Sequence, residues 1–191
     1  MEQQPDDGEW YYSYLLFYVD DVLCIHHDAK TILHKLDKFF QMKPGSMGNP
    51  DISLGAKLKK VQLNNGLWCW AMSSSKYVQE AVWNVKKYSK KELQYESLPK
   101  HGSGPWPLGF EPDTDESEEL NPAKANYYPS LVGILHWILE LGRVDNITET
   151  SVLAWHMAMP RKGHLDAALH MFRYLEGLVS SKHNIPNLEA L

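Results

Sequence analysis

Tyr18-Val19-Asp20-Asp21 brings together the residues best suited to chemistry in this chain: two adjacent carboxylates between the apolar run at 11–19 and Val22-Leu23-Cys24-Ile25. Carboxylates at the tip of a tight turn, held by apolar strands, offer hard oxygen ligands to Mg²⁺. Transfer of a phosphoryl group uses two such ions about 4 Å apart, one activating the attacking hydroxyl and one stabilising the leaving oxygen. An Asp-Asp pair also serves simply as turn residues between strands. Four residues alone are a weak motif, so their setting has to decide.

Aromatic and β-branched residues on both sides of Asp20-Asp21 predict a hairpin, buried on much of both faces, with the two acids at its tip. Asp28 is placed to cap a helix carrying Ile32, Leu33, Leu36, Phe39 and Phe40, and Gly45, Gly48 and Pro50 then break the chain. A second hairpin has arms at 52–63 and 67–72 around Asn64-Asn65-Gly66, where the Asn-Gly pair supplies positive φ. Ser73 or Ser74 caps the next helix, striped by Tyr77, Val78, Ala81, Val82, Val85 and Tyr88. Lys76, Lys86, Lys87, Lys90 and Lys91 lie off that stripe or beyond its end, free to meet solvent or phosphate.

From about Gln94 to Pro122 periodicity is lost, and the Gly/Pro-rich stretch at 101–107 with the acidic run at 111–119 predicts an extended, partly mobile linker. Three helices follow. One carries Tyr128, Leu131, Leu135, Ile138 and Leu141, a second covers roughly 148–157, and a third carries Leu165, Ala168, Leu169, Phe172 and Leu175 with Gly177 as its C-cap. The fold class is α+β: a sheet-rich first half and a helical second half, without an internal repeat.

The chain has 191 residues, 43% hydrophobic and 23% charged, which excludes a disordered or collagen-like polymer and allows a sizeable core. No apolar stretch approaches the 20 or so residues of a membrane span, and the acidic N-terminus is the opposite of a signal peptide. Two cysteines, Cys24 and Cys69, suit a reducing compartment, so we expect a cytoplasmic or nuclear protein with no disulfide and no secretion. The net charge of -5 hides an asymmetry: residues 29–100 carry thirteen Lys against five acids, while residues 101–122 carry six acids and no base. The basic middle reads either as solvated helix faces or as a surface for the phosphates of a nucleic acid.

Other constellations carry less. His26 and His27 are expected on opposite faces of a strand, and His156, His164 and His170 on helical phases that do not converge, so zinc has no support. There is no Gly-rich phosphate loop and no Gly-x-Ser-x-Gly elbow. Trp68 and Trp70 share one strand face, where they either stack bases or, the commoner fate, pack into a core. Arg143 and Asp145 are expected to pair at a helix end, a contact worth little if exposed.

The buried Tyr-Val-Asp-Asp hairpin, an amphipathic helix, a Leu54-Gly55 hairpin and Ser-Ser-Lys-Tyr-Val opening a helix together resemble the reverse transcriptase of copia-type LTR retrotransposons. Tyr128-Pro-Ser-Leu-Val-Gly, Arg143-Val-Asp, and Gly163-His-Leu-Asp-Ala-Ala-Leu-His-Met-Phe-Arg-Tyr-Leu are similar to later blocks of that family, so the resemblance runs from about Tyr12 to Leu178. It implies an RNA-directed DNA polymerase in which Asp20 ligates the catalytic Mg²⁺ (or Mn²⁺) ions and Asp21 is a weaker or outer ligand. Tyr18 and Val19 would lie beside the primer end and template, and Leu54-Gly55-Ala56-Lys57 would form the primer grip. Lys76, Lys86 and Lys87 would face the backbone of an RNA/DNA template–primer.

In these terms residues 1–73 are a partial palm, 74–93 the thumb helix, 94–122 a linker, and 123–191 a helical thumb and connection. The family places fingers and half a palm before this hairpin, so the first metal-binding Asp would lie upstream of Met1, and Asp6 and Asp7 are no substitute. On this resemblance we expect no room for the RNase H domain that follows in the family, and Asn146 stands where the family usually has an apolar residue. One carboxylate pair is not a two-metal site. Magnesium is therefore expected to bind weakly and the chain to be inactive by itself, unless a partner chain supplies the missing palm half. The alternative is a non-catalytic module, domesticated or relic, that binds nucleic acid or a protein partner through the Lys-rich thumb.

Overall fold

The computed structural model describes residues 2–3, 11–98 and 104–180. They form mixed α and β structure with small antiparallel sheets, and the chain divides into two units, Met1–Ser53 with Leu58–Ala71, and Leu54–Lys57 with Met72–Leu191. No described helix is long and apolar enough to cross a membrane.

In the first unit β1 (Glu2–Gln3) pairs antiparallel with β2 (Tyr11–Tyr12), and the Asp6-Asp7 loop lies outside the described residues. The hairpin β3 (Tyr14–Tyr18) and β4 (Asp21–Ile25) forms as the apolar pattern predicts, in the register Leu16↔Leu23, Phe17↔Val22 and Tyr18↔Asp21. Two expectations are corrected here. The turn is Val19-Asp20 and not Asp20-Asp21, because Asp21 already belongs to β4. The faces are also open: every residue of β3 is exposed, and no described residue of this unit is fully buried.

Helix α1 (Ala29–Asp37) leans on β4, and its N-cap is the expected Asp28, whose carboxylate accepts the Thr31 N–H at 3.3 Å. It ends two residues before Phe39, so Phe39 and Phe40 stand exposed on the exit turn instead of extending the apolar stripe. The strand expected over 52–63 is broken at Leu54-Gly55 into β5 (Ile52–Ser53) and β6 (Ala56–Gln62), which order as β5-β6-β7 with β7 (Trp68–Ser73). Leu54 and Gly55 take φ +52° and +89°, the two left-handed positions that a two-residue type I′ hairpin turn needs. In the Asn64-Asn65-Gly66 turn only Gly66 is left-handed (φ +85°). Bonds from Gly66 N to Leu63 O and from Leu63 N to Leu67 O make it a three-residue loop closed by a glycine bulge.

The second unit holds the core. Helix α2 (Ser75–Glu92) buries Val78, Ala81, Val82 and Val85 and packs chiefly on α5 (Lys162–Ser180), which buries Leu165, Ala168, Leu169, Phe172 and Leu175. Helix α3 (Pro122–Glu140) is capped by Asn121 accepting from the Lys124 N–H, and packs on α4 (Ile147–Trp155). Polar ties cross these helices. Tyr128 donates its hydroxyl to Leu153 O at 2.8 Å, Tyr95 donates to Asp166, and the Tyr88 and Tyr127 rings stack at 3.9 Å. Burial removes water from the Tyr127 hydroxyl and pushes its pKa up to about 12. Gly177 does not end α5, which continues through it to Ser180.

The acidic stretch, expected to be an extended linker, is instead folded onto the start of α5 along its described part. Trp106, Phe110 and Leu120 pack against the core, and a single 3₁₀ turn forms at Pro112–Thr114. Lys162 N donates to Glu118 O, Gly163 N to the Ser117 hydroxyl, and Arg161 to Ser117 O. The buried His164 ring accepts the Arg161 N–H on Nδ1 at 3.0 Å, so its Nε2 carries the proton and faces Pro112 O at 3.0 Å. A Cβ on Gly163 would meet Phe110 Cε2 at 2.7 Å and Asp115 Cγ at 2.8 Å, so only glycine admits this approach.

Two expected outcomes follow from this packing. Asn146 is 1% exposed, and neither its amide oxygen nor its nitrogen has a hydrogen-bond partner among the described residues. Replacing Asn146 with Leu, which branches at the same carbon, should raise stability by about 1–3 kcal/mol in urea or thermal unfolding. An unchanged midpoint would mean the amide is satisfied. Burial, the largest influence on His164, holds its pKa below 6.5, so below pH 6.5 the unfolded chain binds the extra proton and the folded one resists it. Stability should therefore be fully present above pH 6.5 and fall as the pH drops below it. His164→Gln should flatten that limb of the curve, and an unaltered pH dependence would exclude His164 as its source.

Candidate active site

The Val19-Asp20 tip is built by the register of β3 and β4. Five cross-strand pairs carry the ladder up to Tyr18↔Asp21, leaving two residues to reverse the chain. Val19 does so at φ +55°, a left-handed conformation rare for a β-branched residue, and is 94% exposed. Held strain of this kind costs on the order of 1–3 kcal/mol and concentrates at functional sites. Asp20 and Asp21 are both exposed, and Tyr18 keeps its backbone pairing with Asp21.

Two adjacent carboxylates fit one side of a magnesium ion, which takes one or two protein carboxylates and keeps water or phosphate for its remaining positions. Among the described residues no group of three or more His, Cys, Asp or Glu side chains is placed to hold a metal.

The remaining sequence-predicted residues belong to the second unit. Leu54 and Gly55 form the left-handed turn, Ala56 is buried, Lys57 is exposed on β6, and Gly55 lies against the Tyr77 ring of α2. The three helix lysines differ in what they meet. Lys76 is exposed with Glu80 at 4.0 Å, and Lys87 lies over the Trp83 ring, 5.0 Å from its centroid. Lys86 is ion-paired with Glu176 of α5, which also binds Arg173, so it is not the free cation its helical position suggests. Burial works against ionisation of Glu176, but the bonds from Lys86 and Arg173 outweigh it and hold the carboxyl below its usual range. The Lys87–Trp83 pair was legible as i, i+4 spacing; the Lys86–Glu176 pair, 90 residues apart, had no local signal.

Two histidine expectations are overturned. β4 ends at Ile25, so strand alternation does not separate His26 from His27, and their rings lie 4.3 Å apart; Asp28 N donates to His26 Nδ1. His156 and His164 do converge, stacked at 4.1 Å, with Asp113 Oδ1 3.4 Å from His156 Nε2 and Asp115 Oδ2 3.8 Å from His164 Nδ1. Burial opposes the Asp115 charge, but its two Ser117 bonds and the nearby His164 and Arg161 hold its pKa low. His170 bonds to Gly104 O instead. Arg143 and Asp145 form the expected ion pair, doubly bonded through Nε and Nη2 at 2.8 and 2.6 Å. Both cysteines are free thiols.

No protein-family model matches the chain, and no solved structure matches it. Among curated proteins it is similar to the retrovirus-related Pol polyprotein from transposon TNT 1-94 of Nicotiana tabacum, 30% identical over 166 residues. The match takes in 85% of this chain and 12% of that polyprotein, so the chain spans a small part of its relative's length. That likeness supports a retrotransposon Pol origin for the chain.

Proposed function

We propose that the chain is a palm-and-thumb portion of an RNA-directed DNA polymerase of a copia-type LTR retrotransposon. The observation that carries this reading is the Tyr18-Val19-Asp20-Asp21 hairpin: a left-handed Val19 sets Asp20 at the exposed tip of two apolar strands, where its carboxylate is open to a metal ion. The likeness to a transposon Pol polyprotein supports it. Asp20 and Asp21 present the carboxylates, and Tyr18 and Val19 line the same tip. When bound, magnesium would neutralise charge on phosphate oxygens at this tip.

A complete centre needs an opposing carboxylate from a segment or partner chain beyond the described residues. That same partner would cover the apolar faces of β3, which as a two-stranded hairpin is only marginally stable uncovered. The Leu54-Gly55 turn and Lys57 act as the primer grip. Lys76 and Lys87 on α2 contact the phosphates of the template–primer, which positions the duplex without reading its sequence.

Binding to an RNA–DNA hybrid, followed by anisotropy across a salt series, tests this reading. Lys76→Glu with Lys87→Glu should weaken binding about tenfold and lower the salt slope by about two, one for each lost phosphate contact. A chain that ignores the hybrid, or a double variant that binds as the native chain does, sinks the proposal. In primer extension with Mg²⁺ or Mn²⁺ the chain by itself should incorporate nothing. Incorporation abolished by Asp20→Asn would instead reveal a complete metal site in this chain.

A further inference from the structure

Strand β3, Tyr14-Leu15-Leu16-Phe17-Tyr18, pairs with β4 on one edge, and no described strand takes its other edge. The register decides which backbone groups that edge presents. Across a two-residue turn the flanking residues, here Tyr18 and Asp21, form a hydrogen-bonded pair, and bonding alternates from there. Leu16 and Tyr14 therefore turn their N–H and C=O groups to β4, while Leu15 and Phe17 turn theirs to the open edge. The side chains divide by the same alternation. Tyr14, Leu16 and Tyr18 stand on one face, Leu15 and Phe17 on the other, and all are exposed. The strand has no charge and no proline, the devices that keep an open edge from pairing.

We propose that two copies of this chain pair antiparallel along β3, about a twofold axis at Leu16, into one sheet ordered β4-β3-β3-β4. In this register the strand is its own complement. Leu15 of one copy lies opposite Phe17 of the other, both with outward backbone groups, so each such pair exchanges both bonds. On the other face Tyr14 lies opposite Tyr18, and Leu16 meets Leu16 at the closer spacing of a non-hydrogen-bonded pair, where side-chain contact is greatest. An axis at Leu15 or at Phe17 would leave part of the strand unpaired. The two Asp20 tips fall at opposite ends of the new sheet, about 26 Å apart along the strands, so no like charges meet. β7 ends the other sheet as a second uncharged edge, with Trp68 and Trp70 exposed instead of packed in a core. An axis at Trp70 sets unlike residues together there, Trp68 on Met72 and Cys69 on Ala71. Contact of like with like about a twofold axis closes on itself as a dimer. A strand of this length spans only about 17 Å, short of a standard interface, so the dimer is weak, with a dissociation constant on the order of 10 μM. The pairing concerns the edge of β3 and does not depend on the polymerase reading.

The test is sedimentation equilibrium of the full chain from about 1 to about 200 μM, a range that brackets the expected constant. Leu16→Lys and Leu16→Glu each set like charges directly opposite one another in this register. Either variant alone should dimerise about tenfold more weakly than native, and an equimolar mixture of the two should associate about fivefold more tightly than either by itself. Leu15→Pro removes a donor from the open edge and leaves the β3–β4 ladder its bonds, so with circular dichroism matching native it should lose the dimer. In the native chain the Leu15 and Phe17 amides should exchange with deuterium more slowly as protein concentration rises. The proposal is overturned if the native chain stays monomeric throughout the range, or if it passes directly to open-ended aggregates. It is also overturned if the Lys/Glu mixture associates no better than its components, or if exchange at Leu15 and Phe17 does not vary with concentration. A native-strength dimer of Leu16→Lys alone would place the contact elsewhere and overturn it too. Dimerisation that persists in the Lys76→Glu/Lys87→Glu variant, or in a chain that ignores the hybrid, supports the pairing separately from the polymerase reading.

Discussion

The helical unit depends on how the start of α5 is closed. A helix begins with four backbone N–H groups that have no intrahelical partner, and leaving them buried and unpaired is costly. Here a distant segment pairs two of them, Glu118 O taking the Lys162 N–H and the Ser117 hydroxyl the Gly163 N–H, while His164 of the helix takes the N–H of Arg161 just before it. This works only because Gly163 has no side chain, since a single Cβ would collide with Phe110 and Asp115. Once α5 is anchored, α2 packs along it and α3 meets it, and the largest fully buried side chains, Tyr128 and Phe172 among them, gather around it. The acidic stretch is therefore part of the fold's foundation, with its carboxylates turned toward Arg161 and the two stacked histidines.

The unit that carries the Asp20 tip is built on a different balance. Its strands are as apolar as any in the chain, yet Tyr14, Leu15, Leu16, Phe17 and Tyr18 are all exposed. Uncovered apolar strands with free edges invite association, which natural sheets avoid by covering or charging their edges. β3 has neither charge nor proline, so its residues suit an interior position.

What was legible in the sequence is what local physics decides. Asp28 and the long helical stripes of α2, α3 and α5 were readable because caps and 3.6-residue periodicity act within a few residues. The break at Leu54-Gly55 was hidden because Leu is an unusual occupant of a left-handed position, and the strand pattern ran through it uninterrupted. The acidic stretch had no periodicity to read, since its order comes from hydrogen bonds that reach across 44 to 52 residues. Alternation showed that Trp68 and Trp70 share a face, but not whether anything covers that face, because burial is a property of distant chain. Asn146 is the converse case: its departure from an apolar position was visible in the sequence, and its buried, unpartnered amide gives that departure a physical cost.

The charge of the basic middle cannot be read as a count of lysines for the same reason. Glu176 is shared by Lys86 and Arg173, so those three side chains present one net positive charge and not two separate cations. For Lys86 to reach a phosphate it must leave a partly buried carboxylate whose ionised form both partners stabilise, and that carboxylate would then stand close to the incoming polyanion. Lys76 faces a weaker competitor, an exposed Glu80 at 4.0 Å that solvent screens. Lys87 has no such competitor among the described residues, and a cation over an indole keeps its charge available to a phosphate. On the proposed polymerase reading, phosphate contacts on α2 therefore fall to Lys76 and Lys87, while Lys86 holds α2 against α5 through Glu176.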